Sequence, residues 1–174
     1  MTIKHDEMVR GLKKTGADIL ATLTPEKVDA WHMASCIPGE AAELFDAVRK
    51  NDRENVVEEL GDNQFYIEGL RQTFEITREE TLTSEIIETS TDDIPGRAGD
   101  VFDSVKKFII YNKDFDRAEL VKALAYYELA LAAAAIKFDI TLEESLAGNI
   151  AKLGKRYEGL KYSDQAAQNR ADKA

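Results

Sequence analysis

Two acidic pairs at helical spacing mark the stretch Gly39–Leu70: Glu40 with Glu43, and Glu59 with Asp62. An i,i+3 separation puts both carboxylates of a pair on one side of a helix, about one turn apart. Each pair falls at the edge of an apolar stripe, Ala41, Leu44, Phe45 and Val48 for the first and Val56, Leu60, Ile67 and Leu70 for the second. With 33 acidic residues in 174, chance alone supplies about six acidic i,i+3 pairs, which amphipathic helices ordinarily leave in solvent. A single pair therefore carries no information. Two pairs on adjoining helices, both flanking the core, are a different matter. Four like charges drawn partly out of water repel one another and cost several kcal/mol per ion unless they are paired, protonated or bound to a cation.

Carboxylates without His or Cys form a hard-oxygen donor set that suits Mg²⁺ or Mn²⁺ better than zinc. A helical di-iron centre would need Glu-x-x-His motifs. The histidines, His5 and His32, instead follow Thr2 and Asp29 at that spacing. Three neighbours join the candidate set: Trp31 and His32, which precede the first pair on the same helix and could face a base or a phosphate, though residues so placed are more often plain core, and Asn63, which intrudes into the apolar stripe of the second.

The elements that must position these side chains are helical. Residues 4–23 place Met8, Leu12, Ile19, Leu20 and Leu23 on one face and predict a first amphipathic helix. Thr24-Pro25-Glu26 is a start signal, with Thr as N-cap and Pro at the first helical position. The helix it opens is expected to kink or break at Pro38–Gly39. Asn51-x-x-Glu54 and Thr77-x-x-Glu80 read as capping boxes, the second opening a short helix through Ile87. Glu88–Gly96 is the linker candidate, and further helices are expected over 97–112, 117–138 and 141–158. The polar tail from Ser163 is expected to fray or lie on the surface.

Composition agrees with one all-α domain over residues 1–174: 44% hydrophobic and 32% charged residues, three Pro and ten Gly. A net charge of −10 argues against nucleic acid as a partner, and the lone Cys36 precludes an intrachain disulfide and reads as a small core residue. No leader opens the chain and no apolar run approaches a membrane span, so a cytoplasmic protein without a membrane partner is expected.

The chain also repeats itself. Gly39–Lys50, GEAAELFDAVRK, aligns without gaps onto Gly96–Lys107, GRAGDVFDSVKK, and Phe74–Leu82, FEITREETL, onto Phe138–Leu146, FDITLEESL. The expected fold is therefore a helical bundle built from a tandemly duplicated helical hairpin. The copies have diverged: Glu40, Glu43, Glu59 and Asp62 become Arg97, Asp100, Ala123 and Tyr126. Conversely Glu85 and Glu88 become Asn149 and Lys152, which with Arg156 form an i, i+3, i+7 polar stripe. One half (25–87) keeps the acids, and the degenerate half (96–158) gains a basic helix, with Tyr126 and Tyr127 expected to fill space left by the lost acids.

At these residues the chain resembles the MazG-like, all-α nucleoside triphosphate pyrophosphohydrolase superfamily, which includes the dimeric dUTPases. That family's signature is ExxE followed by ExxD on neighbouring helices, here Glu40-Ala-Ala-Glu43 and Glu59-Leu-Gly-Asp62. The contexts GEAAELFDAVRK and EELGDNQFY are similar to small, phage-type members, and NIAKLGKRY matches the family's phosphate-contacting residues at Asn149, Lys152 and Arg156. The similarity covers roughly residues 25–160. Gly39 stands where many members carry a further Glu, and the long second copy is closer to the dUTPase-like and duplicated forms. The resemblance implies four acids holding Mg²⁺, with Mn²⁺ able to substitute, a (d)NTP substrate cleaved to (d)NMP and pyrophosphate, phosphate contacts from Asn149, Lys152 and Arg156, and a homodimer or dimer of dimers. The competing expectation is a non-catalytic helical module that binds a nucleotide or a protein.

Overall fold

The computed structural model describes residues 3–82 and 88–173, and among these every regular element is a helix. Eight α-helices follow in order: α1 (His5–Leu12), α2 (Gly16–Leu20), α3 (Pro25–Lys50), α4 (Arg53–Phe74), α5 (Ile94–Ile110), α6 (Arg117–Lys137), α7 (Leu142–Arg156) and α8 (Asp164–Asn169). The hairpin α3–α4 packs on the hairpin α5–α6, mainly through α3 against α5 and α4 against α6, and α7 lies across α4. The fold is the all-α bundle the sequence predicts.

Local chemistry explains where the long helices begin and end. Thr24 caps α3 by accepting the Lys27 amide, with Pro25 in the first turn where its missing N–H costs nothing. Asn51 ends α3 in the left-handed conformation that Asn tolerates, and Asp52 then caps α4 by accepting the Asn55 amide. The cap of α4 is thus Asp52, not Asn51. The two halves end alike: Glu75 and Asp139 are both left-handed at φ 51°, and the next amides, of Ile76 and Ile140, close back onto Arg71 and Ala135. Ile37, Leu44, Ile67, Leu70, Val101 and Leu124 are fully buried between the hairpins, and burial of each stabilises the fold by about 1.5–3 kcal/mol.

Four sequence expectations need correction. α3 runs uninterrupted through Pro38; proline removes one N–H, but Ile37 and Ala41 on either side are fully buried, and that packing holds the helix together. The first amphipathic helix is split, because Thr15 caps a new start by accepting the Asp18 amide and Lys14 reaches over to the carbonyl of Ile110. Most of its apolar face stays in solvent, with Leu12 78% and Leu20 70% exposed, and only Leu23 packs on the core. Thr77 and Glu80 do pair as a box, yet open only a 3₁₀ turn, Glu79–Thr81. The expected continuation to Ile87 falls on 83–87, outside the described residues. The tail from Ser163 forms α8 and a 3₁₀ turn, Ala171–Lys173, that packs back onto α7. No helix of the described residues is long and apolar enough to cross a membrane.

Candidate active site

The antiparallel crossing of α3 and α4 brings the acidic pairs together. One carboxylate oxygen each from Glu40, Glu43 and Glu59 lies within 4.8 Å of the others. Glu59 is 8% exposed, Glu40 half-buried and Glu43 at the surface. The set therefore grades from core to solvent, as an ion site with access from one side requires. Burial, followed by the charges of Asp62, Glu43, Glu40 and Glu58, pushes the Glu59 carboxyl up to about 8. Glu40 is raised by its own burial, then by Asp62 and Glu43, and shares a side-chain hydrogen bond with Glu59.

These residues line one side of a cleft of about 440 Å³ whose other side is α7 and the C-terminal tail. Asp62 is in the cleft but outside the triad of oxygens. Its carboxylate accepts the Asn149 amide at 2.6 Å and the Lys152 ammonium, which also reaches Glu58 at 3.2 Å. Burial works against the Lys152 charge, yet the hydrogen bond and charge of Asp62 hold its pKa above the usual lysine value. Arg156 lines the cleft as well, with its Nε and Nη2 each donating at 2.6 Å to Asp172. The cleft thus sets the acids of α3 and α4 opposite Lys152 and Arg156 of α7, whereas Asn149 is buried against Asp62 and does not line it.

Gly61 makes that meeting possible. A Cβ on it would stand 2.7 Å from the Ser145 carbonyl and 2.8 Å from the Asn149 Cβ, so α7 can approach α4 only over a glycine. The glycine inside Glu59-Leu60-Gly61-Asp62 is what sets Asn149 and Lys152 within reach of Asp62.

The three neighbours singled out from sequence lie elsewhere. Trp31 turns toward α5 and packs on Phe102 with ring centroids 5.3 Å apart, and His32 is exposed; neither lines the cleft. Asn63 is fully buried, donates its amide to the Glu59 carbonyl and accepts the Tyr127 hydroxyl, which makes it a structural residue. Cleft residues missed from sequence include Glu58, Tyr66, Tyr157 and Arg170. Glu58 and Tyr66 sit four residues either side of Asp62, a spacing that would have found them. Tyr66 is held above the ordinary tyrosine pKa by burial and by its contact with Cys36. Arg170 gave no signal, because the polar tail was expected to fray or lie on the surface.

The degenerate half supplies no second acid site. Arg97 and Lys122 lie over the Tyr126 ring at 5.2 and 5.4 Å, among Asp100, Asp103 and Glu119, a charge-balanced surface. Tyr127 is buried on the α4 side of α6. A separate apolar cavity of about 450 Å³ lies between α4, α6 and the start of α7. Its lining holds a single carboxylate, that of Glu128.

Residues 30–102 match the family model described as the MazG nucleotide pyrophosphohydrolase domain. The match spans all four acids and ends before α7. Neither the curated proteins nor the solved structures gave a match.

Proposed function

We propose, with the MazG-like assignment of residues 30–102 as the premise, that the general nucleotide pyrophosphohydrolase activity of that family takes a specific form here. The chain hydrolyses a (d)NTP to (d)NMP and pyrophosphate. The observation that carries this reading is the opposition, across one cleft, of three converging carboxylates and two cationic side chains of α7, Lys152 and Arg156.

The acids fit a divalent cation. Their donors are all oxygens, and Glu59 Oε2 is buried with no hydrogen-bond partner in the protein, which is costly unless something else satisfies it. Glu40, Glu43 and Glu59 would hold the ion, with Asp62 beside them. Mg²⁺, or Mn²⁺ in its place, would neutralise phosphate charge and lower the pKa of the attacking water.

The chain's own residues do the rest. Lys152 and Arg156 offset the charge of the triphosphate, Arg by a planar fork that matches two phosphate oxygens, and Asn149 donates a hydrogen bond. In the free protein Lys152 rests on Asp62 in the cleft wall, and the buried Asn149 holds Asp62 from behind it, which keeps both ordered before substrate arrives. The water oxygen bonds to the α-phosphorus, the bond from that phosphorus to the α,β-bridging oxygen breaks, and a carboxylate of the set accepts the water's proton. Trp31, His32 and Asn63 have no part in this scheme. The protein acts as a homodimer or dimer of dimers; sedimentation showing only monomer would contradict that.

Hydrolysis in ¹⁸O-water tests the site of attack. Label in the nucleoside monophosphate is expected, whereas label in pyrophosphate alone would place attack on the β-phosphorus and overturn the scheme.

A further inference from the structure

Arg156 is not loose in the cleft. Its Nε and Nη2 form a fork on both oxygens of Asp172, at 2.6 Å each, and the pair is almost dry: the Asp172 side chain is 1% exposed and that of Arg156 16%. Such a geometry is the strong, charge-assisted kind. The Arg156 hydrogen bonds hold the Asp172 carboxyl well below the usual carboxylate range. Two acceptors do not exhaust a guanidinium with five N–H donors, so the pair fixes the plane of Arg156 without using it up.

The same contact anchors the tail. Ser163 caps α8 by accepting the Ala166 amide, α8 ends at Arg170 in the left-handed conformation, and the chain turns back so that Ala171–Lys173 lies on α7. This path carries Ala167 and Arg170 to the rim of the acidic cleft. The cleft walls hold five carboxylates against three cations, Lys152, Arg156 and Arg170. Lys152 already serves Asp62 and Glu58, and Arg156 serves Asp172. Arg170 is the cation that comes from outside α7.

We infer that the C-terminal segment 163–173 is a wall of the nucleotide site, in which Arg170 binds the polyphosphate and Asp172 is the positioning residue that orients Arg156 toward it. This rests on the pyrophosphohydrolase reading of the cleft and adds the tail to it.

The test uses the full chain and Mg²⁺ with inorganic pyrophosphate as the probe, measured by calorimetry, alongside turnover of the best nucleotide. Arg170→Gln is expected to weaken pyrophosphate binding and raise KM about tenfold, the scale of one lost charge-assisted hydrogen bond, with kcat within about twofold. Asp172→Asn shifts both in the same direction, Asp172→Glu restores most of the loss, and the melting temperature of Arg170→Gln stays that of the wild type. Tryptic cleavage after Arg170 slows when Mg²⁺ and pyrophosphate are added. Unchanged binding in Arg170→Gln overturns the assignment of that residue. Tighter binding in Asp172→Asn overturns positioning, because it would mean that Asp172 competes with phosphate for Arg156. A wild type that hydrolyses nucleotide beside indifferent variants removes the tail alone, whereas a wild type that neither binds pyrophosphate nor turns over nucleotide removes the site reading with it.

Discussion

Glu59 shows how a residue can be placed against its own stability. Its ordinary carboxyl value of 4.5 is raised to about 8 by burial and by the surrounding acids. The folded chain therefore holds this proton more tightly than the unfolded chain does, and folding stability falls as pH climbs from about 4.5 toward about 8. Thermal denaturation without divalent ions should show a melting temperature that declines across that window, and Glu59→Gln should flatten the decline. Added Mg²⁺ or Mn²⁺ should raise the melting temperature of the wild type more at pH 8 than at pH 5, with protons released on binding; equal shifts at both pH values would contradict the site. Spacing together with the family resemblance singled out Glu40, Glu43 and Glu59, and their place at the margin of an apolar stripe runs from buried Glu59 to exposed Glu43. Neither revealed that Asp62 is already engaged by Asn149 and Lys152, since that depends on how closely α7 approaches. Trp31 and His32 were near the acids in sequence, but at 100° per residue Trp31 stands on the opposite side of α3 from Glu40, and His32, though on the side of Glu43, lies about three turns, roughly 16 Å, away along the axis.

At the scale of elements, the contact between α7 and α4 decides whether the cleft has two sides. Gly61 leaves no room for a methyl group: the nearest obstacle is the Ser145 carbonyl, a backbone atom that cannot swing aside. Gly61→Ala should destabilise the fold by about 1–3 kcal/mol through overpacking and reduce activity as α7 is pushed outward. Chemical denaturation and turnover measured together would check both; wild-type values for the pair would show that α7 adapts at no cost. The long helices were readable because their apolar positions recur at 3.6 residues and their caps are Thr, Asp and Asn. The short ones were not. α1 has the periodicity of a packed helix but buries none of its residues, and the tail is polar yet docks through one ion pair, a long-range contact that no local pattern encodes.

Taken whole, the molecule joins two similar hairpins that divide the work. Asn63 and Tyr127 occupy matching places in the two copies and hydrogen-bond to each other, so α4 and α6 meet where the halves are related. Both side chains are fully buried. Tyr127→Phe would strand the Asn63 oxygen and should cost about 1–3 kcal/mol in denaturant unfolding, with nucleotide affinity retained, since neither residue lines the cleft. No loss of stability would show that water or a rearranged amide satisfies Asn63. The duplication was visible in sequence, and so was the uneven fate of its acids. What the division achieves was not, because it depends on α7 of the second copy crossing α4 of the first.

We propose that the Glu40–Glu43–Glu59 cluster makes this cleft a nucleotide pyrophosphohydrolase site. Each common dNTP and NTP, incubated with the protein and Mg²⁺ and assayed for pyrophosphate, tests it most directly when Glu59→Ala is run in parallel. Pyrophosphate release by the wild type with at least one nucleotide, and none by a Glu59→Ala protein of unchanged helicity, is the predicted result. Full turnover by Glu59→Ala, or no pyrophosphate from any nucleotide with a folded wild type, would contradict it.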